Sequence, residues 1–293
     1  MKLLPFLLLF SISLTAQDPD KVEIIPIKVT DNIYMIKGSG GNMGLMTGPD
    51  GTLLIDSQFA PLSDKIKATI KTITPDPVKY LINTHWHGDH TGGNENFAKD
   101  GALIIAHDNV HKRKSTDQIM QAFGKKVDAS PKAAQPVISF NDHLSLHING
   151  EDIMMLHDHV GHTDGDAVVY FPASNVLHMG DTYFQGRYPY VDLRSGGDVK
   201  SLISSLNRSL FLCDGDTQVI PGHGNLSNRE ELLAYRDMVQ EVYMRVKQSV
   251  DSGLSLEEIH AANLTKDFDE VYDGGFVKRD KFIETIFNNL DEG

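Results

Sequence analysis

The chain has 293 residues, enough for one large domain or two modest ones. Its hydrophobic content of 40% is ordinary for a globular protein, and 27 Lys and Arg against 40 Asp and Glu give a formal net charge of -13. This acidic balance disfavours a nucleic-acid partner, because contact with phosphates requires a basic surface. Cys213 is the only cysteine, which excludes an intrachain disulfide.

The first 16 residues, MKLLPFLLLFSISLTA, have the layout of a secretory signal. One Lys precedes an apolar run, and that run is too short to span a bilayer comfortably. We expect cleavage near Ala16, a periplasmic or secreted protein of residues 17–293, and no stable membrane insertion after cleavage. An uncleaved membrane anchor is the alternative interpretation.

The first half of the chain predicts strands interspersed with helices. Short apolar runs broken by Gly, Asp and Asn indicate strands at 22–29, 33–36, 43–47, 52–55, 78–83 and 102–106. Helical patterns cover 62–73 and 107–123. The glycine-rich residues 38–44 are typical of a mobile loop that could close over a substrate.

The second half repeats this order. Strands are predicted at 143–148, 152–157, 167–171, 176–179 and 218–220, with a helix at 199–211. From about residue 229 the chain is predicted to be helical, over 230–250, 256–262 and 279–290. Two such halves can bury one core between two sheets with helices outside, and a helical extension then follows the second half.

The most informative stretch, THWHGDHTGGN at 84–94, directly follows a predicted strand. Four potential metal ligands, His85, His87, Asp89 and His90, fall within six positions. His85 and His87 share a face of the strand, and a helix starting there would turn Asp89 and His90 toward a second point. Zinc accepts both imidazole and carboxylate, so the pattern favours two metals at one strand end over a His-rich loop that binds nothing.

Three downstream segments each place a polar residue just after an apolar strand. They are GHTDG at 161–165, LHMGDT at 177–182 and VIPGHG at 219–224. Glycines beside a ligand let the backbone approach a metal or substrate closely. Each segment alone is a weak signal, but together with the first cluster they supply about as many ligands as a two-metal site needs.

This set of motifs resembles the metallo-β-lactamase superfamily, whose α/β fold is a four-layer αβ/βα sandwich with two metals at one edge. The HxHxDH motif and the later His, Asp and His match in order over 85–223, and the strand pattern extends the likeness to about 22–226. The resemblance implies two Zn²⁺ ions per chain. One would be held by His85, His87 and His162, the other by Asp89, His90 and His223, with Asp181 bridging and Asp56 orienting a ligand.

The reaction that the resemblance implies is hydrolysis of a small-molecule substrate. Water activated between the metals attacks a carbonyl carbon, and Asp89, as the catalytic residue, steers that water. Export and the residues around Asp181 favour a β-lactamase-like enzyme acting on cyclic amides or related esters. The pairing of His90 with Asp181 departs from the commonest secreted lactamases, which have Arg and Cys there. It is shared with glyoxalase II-like thioesterases and lactonases, so a lactone or thioester hydrolase is the first alternative.

Two further interpretations come from other classes of protein. An iron-dependent persulfide dioxygenase of the same fold would bind one iron through two His and one Asp. A periplasmic metal-binding protein without chemistry would leave no coordination position open. The sequence indicates no particular oligomeric state.

Several residues near the motifs have both a functional and a structural interpretation. Tyr183, Arg187 and Tyr190 follow Asp181 and are candidate substrate contacts, with packing as the alternative. Trp86 is expected to point away from its ligand neighbours into the core, and Cys213 to be a buried thiol.

Overall fold

The computed structural model describes residues 18–120, 124–157 and 160–291, and this part of the chain contains both strands and α-helices. The strands are β1 (Ile25–Lys28), β2 (Ile33–Lys37), β3 (Met43–Met46), β4 (Thr52–Ile55), β5 (Val78–Ile82), β6 (Leu103–His107), β7 (Gln118–Met120), β8 (Lys125–Val127), β9 (Ile138–Phe140), β10 (His143–Ile148), β11 (Glu151–Leu156), β12 (Val168–Phe171), β13 (Val176–His178), β14 (Gln218–Ile220) and β15 (Ser227–Asn228). The α-helices are α1 (Ser63–Lys71), α2 (Gly88–Thr91), α3 (Asn94–Lys99), α4 (Asp108–Lys114), α5 (Val199–Leu212), α6 (Arg229–Asp251), α7 (Leu256–Ala261), α8 (Asp269–Tyr272) and α9 (Arg279–Asp291). The predicted signal segment, residues 1–16, lies outside the described residues.

Two large sheets carry the fold. The first has seven strands in the order β1-β2-β3-β4-β5-β6-β9, and the second has six in the order β10-β11-β12-β13-β14-β15. The first sheet is antiparallel up to β4 and parallel from β4 to β9. In the second sheet β13 and β14 run parallel, while the other neighbours are antiparallel. Parallel strands therefore end together at one edge of each sheet.

Alternating apolar side chains explain why the two sheets pack together. In β4, Leu53 and Ile55 point into the core between the sheets, while Leu54 between them points the other way. In β12, Val169 and Phe171 face the first sheet, because side chains two apart on a strand share a face. Each central strand is apolar on both faces, so each sheet must be covered on its outer side as well.

Helices cover both outer faces. Ile66 of α1 and Phe97 of α3 pack on the first sheet. Leu206 of α5, Val242 of α6 and Phe282 of α9 belong to the cluster on the second sheet. The order helix, sheet, sheet, helix confirms the predicted four-layer αβ/βα sandwich.

The predicted helix over 107–123 is wrong for residues 115–120, and its last residues, 121–123, lie outside the described residues. Helix α4 ends at Lys114, where the hydroxyls of Ser115 and Thr116 both donate to the carbonyl of Lys112 and so compete with further helical hydrogen bonds. Strands β7 and β8 then pair as a hairpin. Helix α3 and strand β9 are too short to have produced a pattern in the sequence.

The helical extension begins with α6. Asn228 caps this helix by accepting a hydrogen bond from the amide of Glu231 at 3.0 Å, which fixes its start. Its buried face packs against α5 and α9, so the extension covers the second sheet. Among the described residues, no helix has the length and apolar character needed to cross a membrane.

Candidate metal centre

The polar residues that follow the parallel strands meet at one edge of the sandwich. His85 and His87 come just after β5, and α2 carries Asp89 and His90. His162 lies in the connection between β11 and β12, while Asp181 follows β13 and His223 follows β14. The expectation that the chain turns helical directly after His87 is confirmed by α2.

All seven predicted metal ligands are brought together in two adjoining clusters. The His-rich cluster consists of His85, His87, His162 and Asp181, and the outer cluster consists of Asp89, His90 and His223. Within each cluster, the candidate ligand atoms lie within 4.8 Å of one another. The His-rich cluster is buried, whereas the side chains of His223 and Asp89 are 20% and 26% exposed and face solvent.

Asp181 lies between the two clusters. Its Oδ1 is 3.0 Å from Nε2 of His90. Its Oδ2 is 3.4 Å from Nε2 of His223, 3.6 Å from Nε2 of His162 and 3.9 Å from Nε2 of His85. Oδ1 therefore faces the outer cluster and Oδ2 lies between nitrogens of both clusters, so the carboxylate is placed where a ligand shared by two metals would lie.

Hydrogen bonds outside the His-rich cluster leave three nitrogen lone pairs pointing into it. His162 donates from Nδ1 to the carbonyl of Tyr190 at 2.6 Å, and His87 donates from Nε2 to Asp192 at 3.0 Å. The remaining nitrogens, Nε2 of His162 and Nδ1 of His87, are both acceptors in the neutral rings, yet they lie 2.8 Å apart. Nε2 of His85 is buried and has no hydrogen-bond partner.

The outer cluster shows the same pattern. His90 donates from Nδ1 to Oδ2 of Asp56 at 2.7 Å, which leaves Nε2 of the neutral ring with a lone pair. That Nε2 and Oδ1 of Asp181 are close but not aligned for a hydrogen bond, so both are buried without a partner. Buried acceptors that face one another are costly unless a cation lies between them. The donor set of imidazole nitrogens and carboxylate oxygens therefore fits divalent metal ions.

The electrostatics separate the two clusters. Burial lowers the pKa of His85, and burial together with His87 lowers the pKa of His162 to about 4. Burial also opposes the charge on His223, but the carboxylates of Asp181 and Asp89 outweigh it and raise the pKa of His223 to about 9. Near pH 7 and without metal, His223 of the outer cluster is therefore protonated, whereas His162 of the His-rich cluster is neutral.

Asp56 contacts two parts of the site. Its backbone has a φ of 61°, an unusual left-handed conformation for a residue other than glycine. In this conformation its carboxylate accepts from the amide and hydroxyl of Thr84 at 2.8 and 2.7 Å, and from His90. Asp56 thereby links the strand that carries His85 to the helix that carries His90.

Asp192 is a site residue that the sequence analysis did not identify. It accepts from His87, and its Oδ2 also accepts from the hydroxyl of Ser195 at 2.7 Å. Its only sequence signal is its position before the short 3-10 turn Leu193–Ser195, which it caps by accepting a hydrogen bond from the amide of Ser195. Such a cap is common in proteins and does not point to a metal site.

Glycines allow the loops to approach the site closely. A side chain on Gly222 would overlap Oδ1 of Asp181 and the backbone of Gly180. A side chain on Gly41 would overlap the ring of His90. The amide of Gly41 donates to the carbonyl of Asp89, and that of Asn42 to the carbonyl of Gly222. Residues 38–44 are therefore tied to the metal loops, and Ser39 is the part of this loop that lines the pocket.

A pocket of about 420 Å³ opens above the two clusters. Arg187 and Tyr190, two of the three candidate substrate contacts, line it together with Phe184 and the exposed acid Asp89. The prediction for Tyr183 is corrected: its ring is buried in the helical cluster on the second sheet, and its hydroxyl bonds to Ser227 at 2.8 Å. Tyr183 precedes a residue that lines the pocket, and neighbouring side chains in extended backbone point to opposite sides.

Residues assigned to the core are found there. Trp86 is 2% exposed and packs with Ala106 and Val110, away from the ligands on either side of it. Cys213 is buried, and burial raises the pKa of its thiol to about 11, which makes it a poor nucleophile.

Comparison with known proteins identifies relatives of this chain. The profile of the metallo-beta-lactamase superfamily matches residues 36–237. The 2,4-dinitroanisole O-demethylase subunit alpha of Nocardioides sp. (strain JS1661) is 30% identical over 62% of this chain and 52% of that protein. A hydroxyacylglutathione hydrolase of Nitrosococcus oceani is 28% identical over 60% of this chain and 59% of that protein. The matches span little more than half of these two relatives.

Longer matches come from proteins of lower identity. The metallo-beta-lactamase type 2 of Bacteroides fragilis is 22% identical over 80% of this chain and 93% of that protein. The solved structure of a metallo-beta-lactamase from Pontibacter korlensis superposes with a TM-score of 0.62 at 20% identity, over 74% of this chain and 99% of that chain. The fold agrees, and the family profile spans most of the sequence. The chain therefore belongs to the metallo-β-lactamase superfamily, with a His and Asp site suited to divalent metals.

Proposed function

We propose that the protein is a binuclear zinc hydrolase that cleaves an acyl bond, first of all the amide of a β-lactam-like ring. The observation that carries this proposal is the position of Asp181, whose Oδ1 lies beside His90 of the outer cluster while its Oδ2 lies within 4 Å of nitrogens of both clusters. Divalent metals bound at such a pair lower the pKa of water toward ~7 and polarise an acyl oxygen. The His-rich cluster would hold one ion and the outer cluster the other, with Asp181 shared.

The residues around the clusters support a reaction in the pocket that opens above them. Asp89 is the most exposed of the candidate ligands, and its Oδ2 lies 3.3 Å from Nε2 of His223. One of its oxygens can hold a metal while the other accepts a hydrogen bond from the attacking water and directs it. The guanidinium of Arg187 lines the same pocket, where it can bind a carboxylate of the substrate.

A lactone or thioester hydrolase is the second candidate. It is favoured by the combination of His90 with Asp181, and a hydroxyacylglutathione hydrolase is among the relatives. Two full ligand clusters support two metals over the single iron of a persulfide dioxygenase. The alpha subunit of a 2,4-dinitroanisole O-demethylase is also among the relatives, so this aryl ether belongs in the substrate panel.

The test is turnover by the zinc-loaded protein against a chelated control. A cephalosporin, a lactone, a thioester and 2,4-dinitroanisole are compared under identical conditions. We expect chelator-sensitive opening of the cephalosporin with a kcat/KM of at least ~10⁴ M⁻¹s⁻¹, within the ordinary enzyme range. If only the lactone or the thioester is hydrolysed, the result supports the second candidate function, a lactone or thioester hydrolase. No turnover of any acyl substrate with both metals bound rejects the proposed hydrolase.

We also propose that the protein is exported. The composition of residues 1–16 supports this. Mass spectrometry of the protein from its producing cell tests the idea: a chain beginning near Gln17 outside the cytoplasm is expected, and a cytoplasmic chain that retains Met1 would reject it.

A further inference from the structure

The helical extension contributes to the wall of the metal pocket. Phe276 and Val277, which lie between α8 and α9, line the pocket together with Phe59, Phe184 and Tyr190. The family profile ends at residue 237, so this part of the wall lies outside the region shared with the family. The wall of the pocket is therefore rich in aromatic rings, of which Phe184 and Tyr190 also contact ligand histidines.

Two of these rings are unusually exposed. Phe59 is 40% exposed and Phe276 is 58% exposed, and both line the same pocket from distant parts of the chain. Single exposed apolar residues are common, but apolar rings that converge on a concave site beside catalytic groups are typical of ligand pockets. A ligand with an apolar group would remove these ring surfaces from water.

Tyr190 and Phe276 separate the metal pocket from a second cavity. This cavity, of about 440 Å³, lies along α9 and is also lined by Tyr190, Phe276 and Val277. The two rings meet edge to face, with centroids 6.3 Å apart. They form a thin partition with open space on both sides, so an apolar group in the metal pocket can contact both rings.

The segment that carries Phe276 is held in place. Val277 is 5% exposed and anchored in the helical cluster. On its two sides, the amide of Tyr188 donates to the carbonyl of Tyr272 at 3.1 Å, and the amide of Arg279 donates to Asp273 at 2.8 Å. Because its backbone is fixed, Phe276 can bind a ligand without the entropic cost of ordering a loop.

We propose that Phe276, together with Tyr190, is a specificity-determining residue that selects substrates carrying an aryl or similarly bulky apolar group next to the scissile bond. This inference rests on the proposed function, because it assumes that the pocket above the metal clusters is where the substrate binds. Tyr190 also presents its carbonyl to His162, so Phe276 is the member of the pair that can be changed without disturbing the metal ligands.

The test measures binding rather than turnover. Affinities of the zinc-loaded full chain for 4-phenylbutyrate and for butyrate are measured by calorimetry, so that the contribution of the carboxylate cancels in their ratio. Wild-type protein should bind the phenyl acid at least about 10-fold more tightly, because burying a ring of this size is worth that much. Phe276→Ala should reduce the ratio to about 3-fold or less, and Phe276→Leu should keep most of it.

Phe211→Ala is the matched control, since Phe211 is 89% exposed on α5 and lines neither cavity. It should leave the ratio unchanged, and zinc content should be equal in all variants. A wild-type protein that does not prefer the phenyl acid, or a ratio that survives Phe276→Ala, overturns the inference. If the ratio behaves as expected while no acyl substrate is hydrolysed, the proposed function fails and the binding role of Phe276 stands.

Discussion

Nε2 of His87 lies 3.0 Å from Oδ2 of Asp192, across 105 positions of the chain. This contact fixes the tautomer of the imidazole, because the carboxylate can only accept. The lone pair of His87 is thereby placed on Nδ1, which points into the His-rich cluster beside Nε2 of His162. Asp192 thus positions a ligand without belonging to either cluster.

Replacing Asp192 should weaken metal binding without abolishing the fold. We expect Asp192→Ala to lower zinc affinity at the His-rich cluster by about 10–100-fold, the usual effect of losing such a partner. Asp192→Asn keeps an oxygen that can accept from His87 and Ser195, and should be affected less. Competition with a chelator measures both variants. Asp128→Ala, which removes an exposed acid of the hairpin region, is the control. Equal affinity for Asp192→Ala and wild type would exclude the positioning role.

A methyl group on Gly222 should displace Asp181. Its Cβ would overlap a carboxylate oxygen of Asp181 and the backbone of Gly180, and neither can move far in a packed site. We expect Gly222→Ala to retain less than two zinc ions per chain and to lose hydrolytic activity, as measured by elemental analysis and turnover. Gly215→Ala is matched to it, since a Cβ there meets nothing within 4 Å. Full metal content in Gly222→Ala would contradict the assignment of Asp181 as the shared ligand.

Removing the metal should destabilise the protein measurably. Nε2 of His85, Nε2 of His90 and Oδ1 of Asp181 are buried without a hydrogen-bond partner, and a bound cation would interact favourably with all three. Ligand at about 100 times its Kd adds ~2.7 kcal/mol to stability, which for a chain of this size corresponds to a change in Tm of roughly 4–5 °C. Calorimetric scans with and without chelator measure the shift. The Tm of Asp181→Ala should change little or not at all when chelator is added. A chelator that leaves the wild-type Tm unchanged would argue against a metal in the folded protein.

Metal loading should release protons mainly at the outer cluster. The carboxylates raise the pKa of His223 to about 9 in the metal-free protein, so at pH 7 this ring is charged and must lose its proton before Nε2 can bind a metal. His162, whose pKa is lowered to about 4, is already neutral. Zinc affinity of the outer cluster should therefore rise as the pH increases from 7 to 9, while that of the His-rich cluster changes less.

Calorimetry in buffers of different ionisation enthalpy measures this difference as the protons released by each of the two binding events. The His223→Ala variant should release fewer protons than the wild-type protein when zinc binds to the outer cluster. Affinities of both clusters that stay constant between pH 7 and pH 9 would show that His223 is not charged before metal binds.

The metal ligands could be predicted from the sequence because their signals are local. His85, His87, Asp89 and His90 lie together, and each of the later ligands follows an apolar strand beside a glycine. The four-layer fold was predictable for a related reason, since its strands and helices have clear periods and its motifs are specific.

The orientation of those ligands and the shape of the pocket depend on contacts between distant segments. Asp192 reaches His87 only after the second sheet has formed, and Phe276 reaches the pocket only because α9 packs on α6. Strand β7 lies in the range that was predicted as helix, and side-chain hydrogen bonds from Ser115 and Thr116 to the backbone accompany the end of α4 before it. Tertiary contacts of this kind leave no pattern in a single sequence.

The most direct test of the central claim is a titration of metal-free protein with zinc while hydrolysis of the acyl substrate panel is followed. The two clusters joined by Asp181 predict that binding saturates at two ions per chain and that full activity requires the second ion. Saturation at a single ion, or two bound ions with no hydrolysis of any substrate in the panel, would contradict the account.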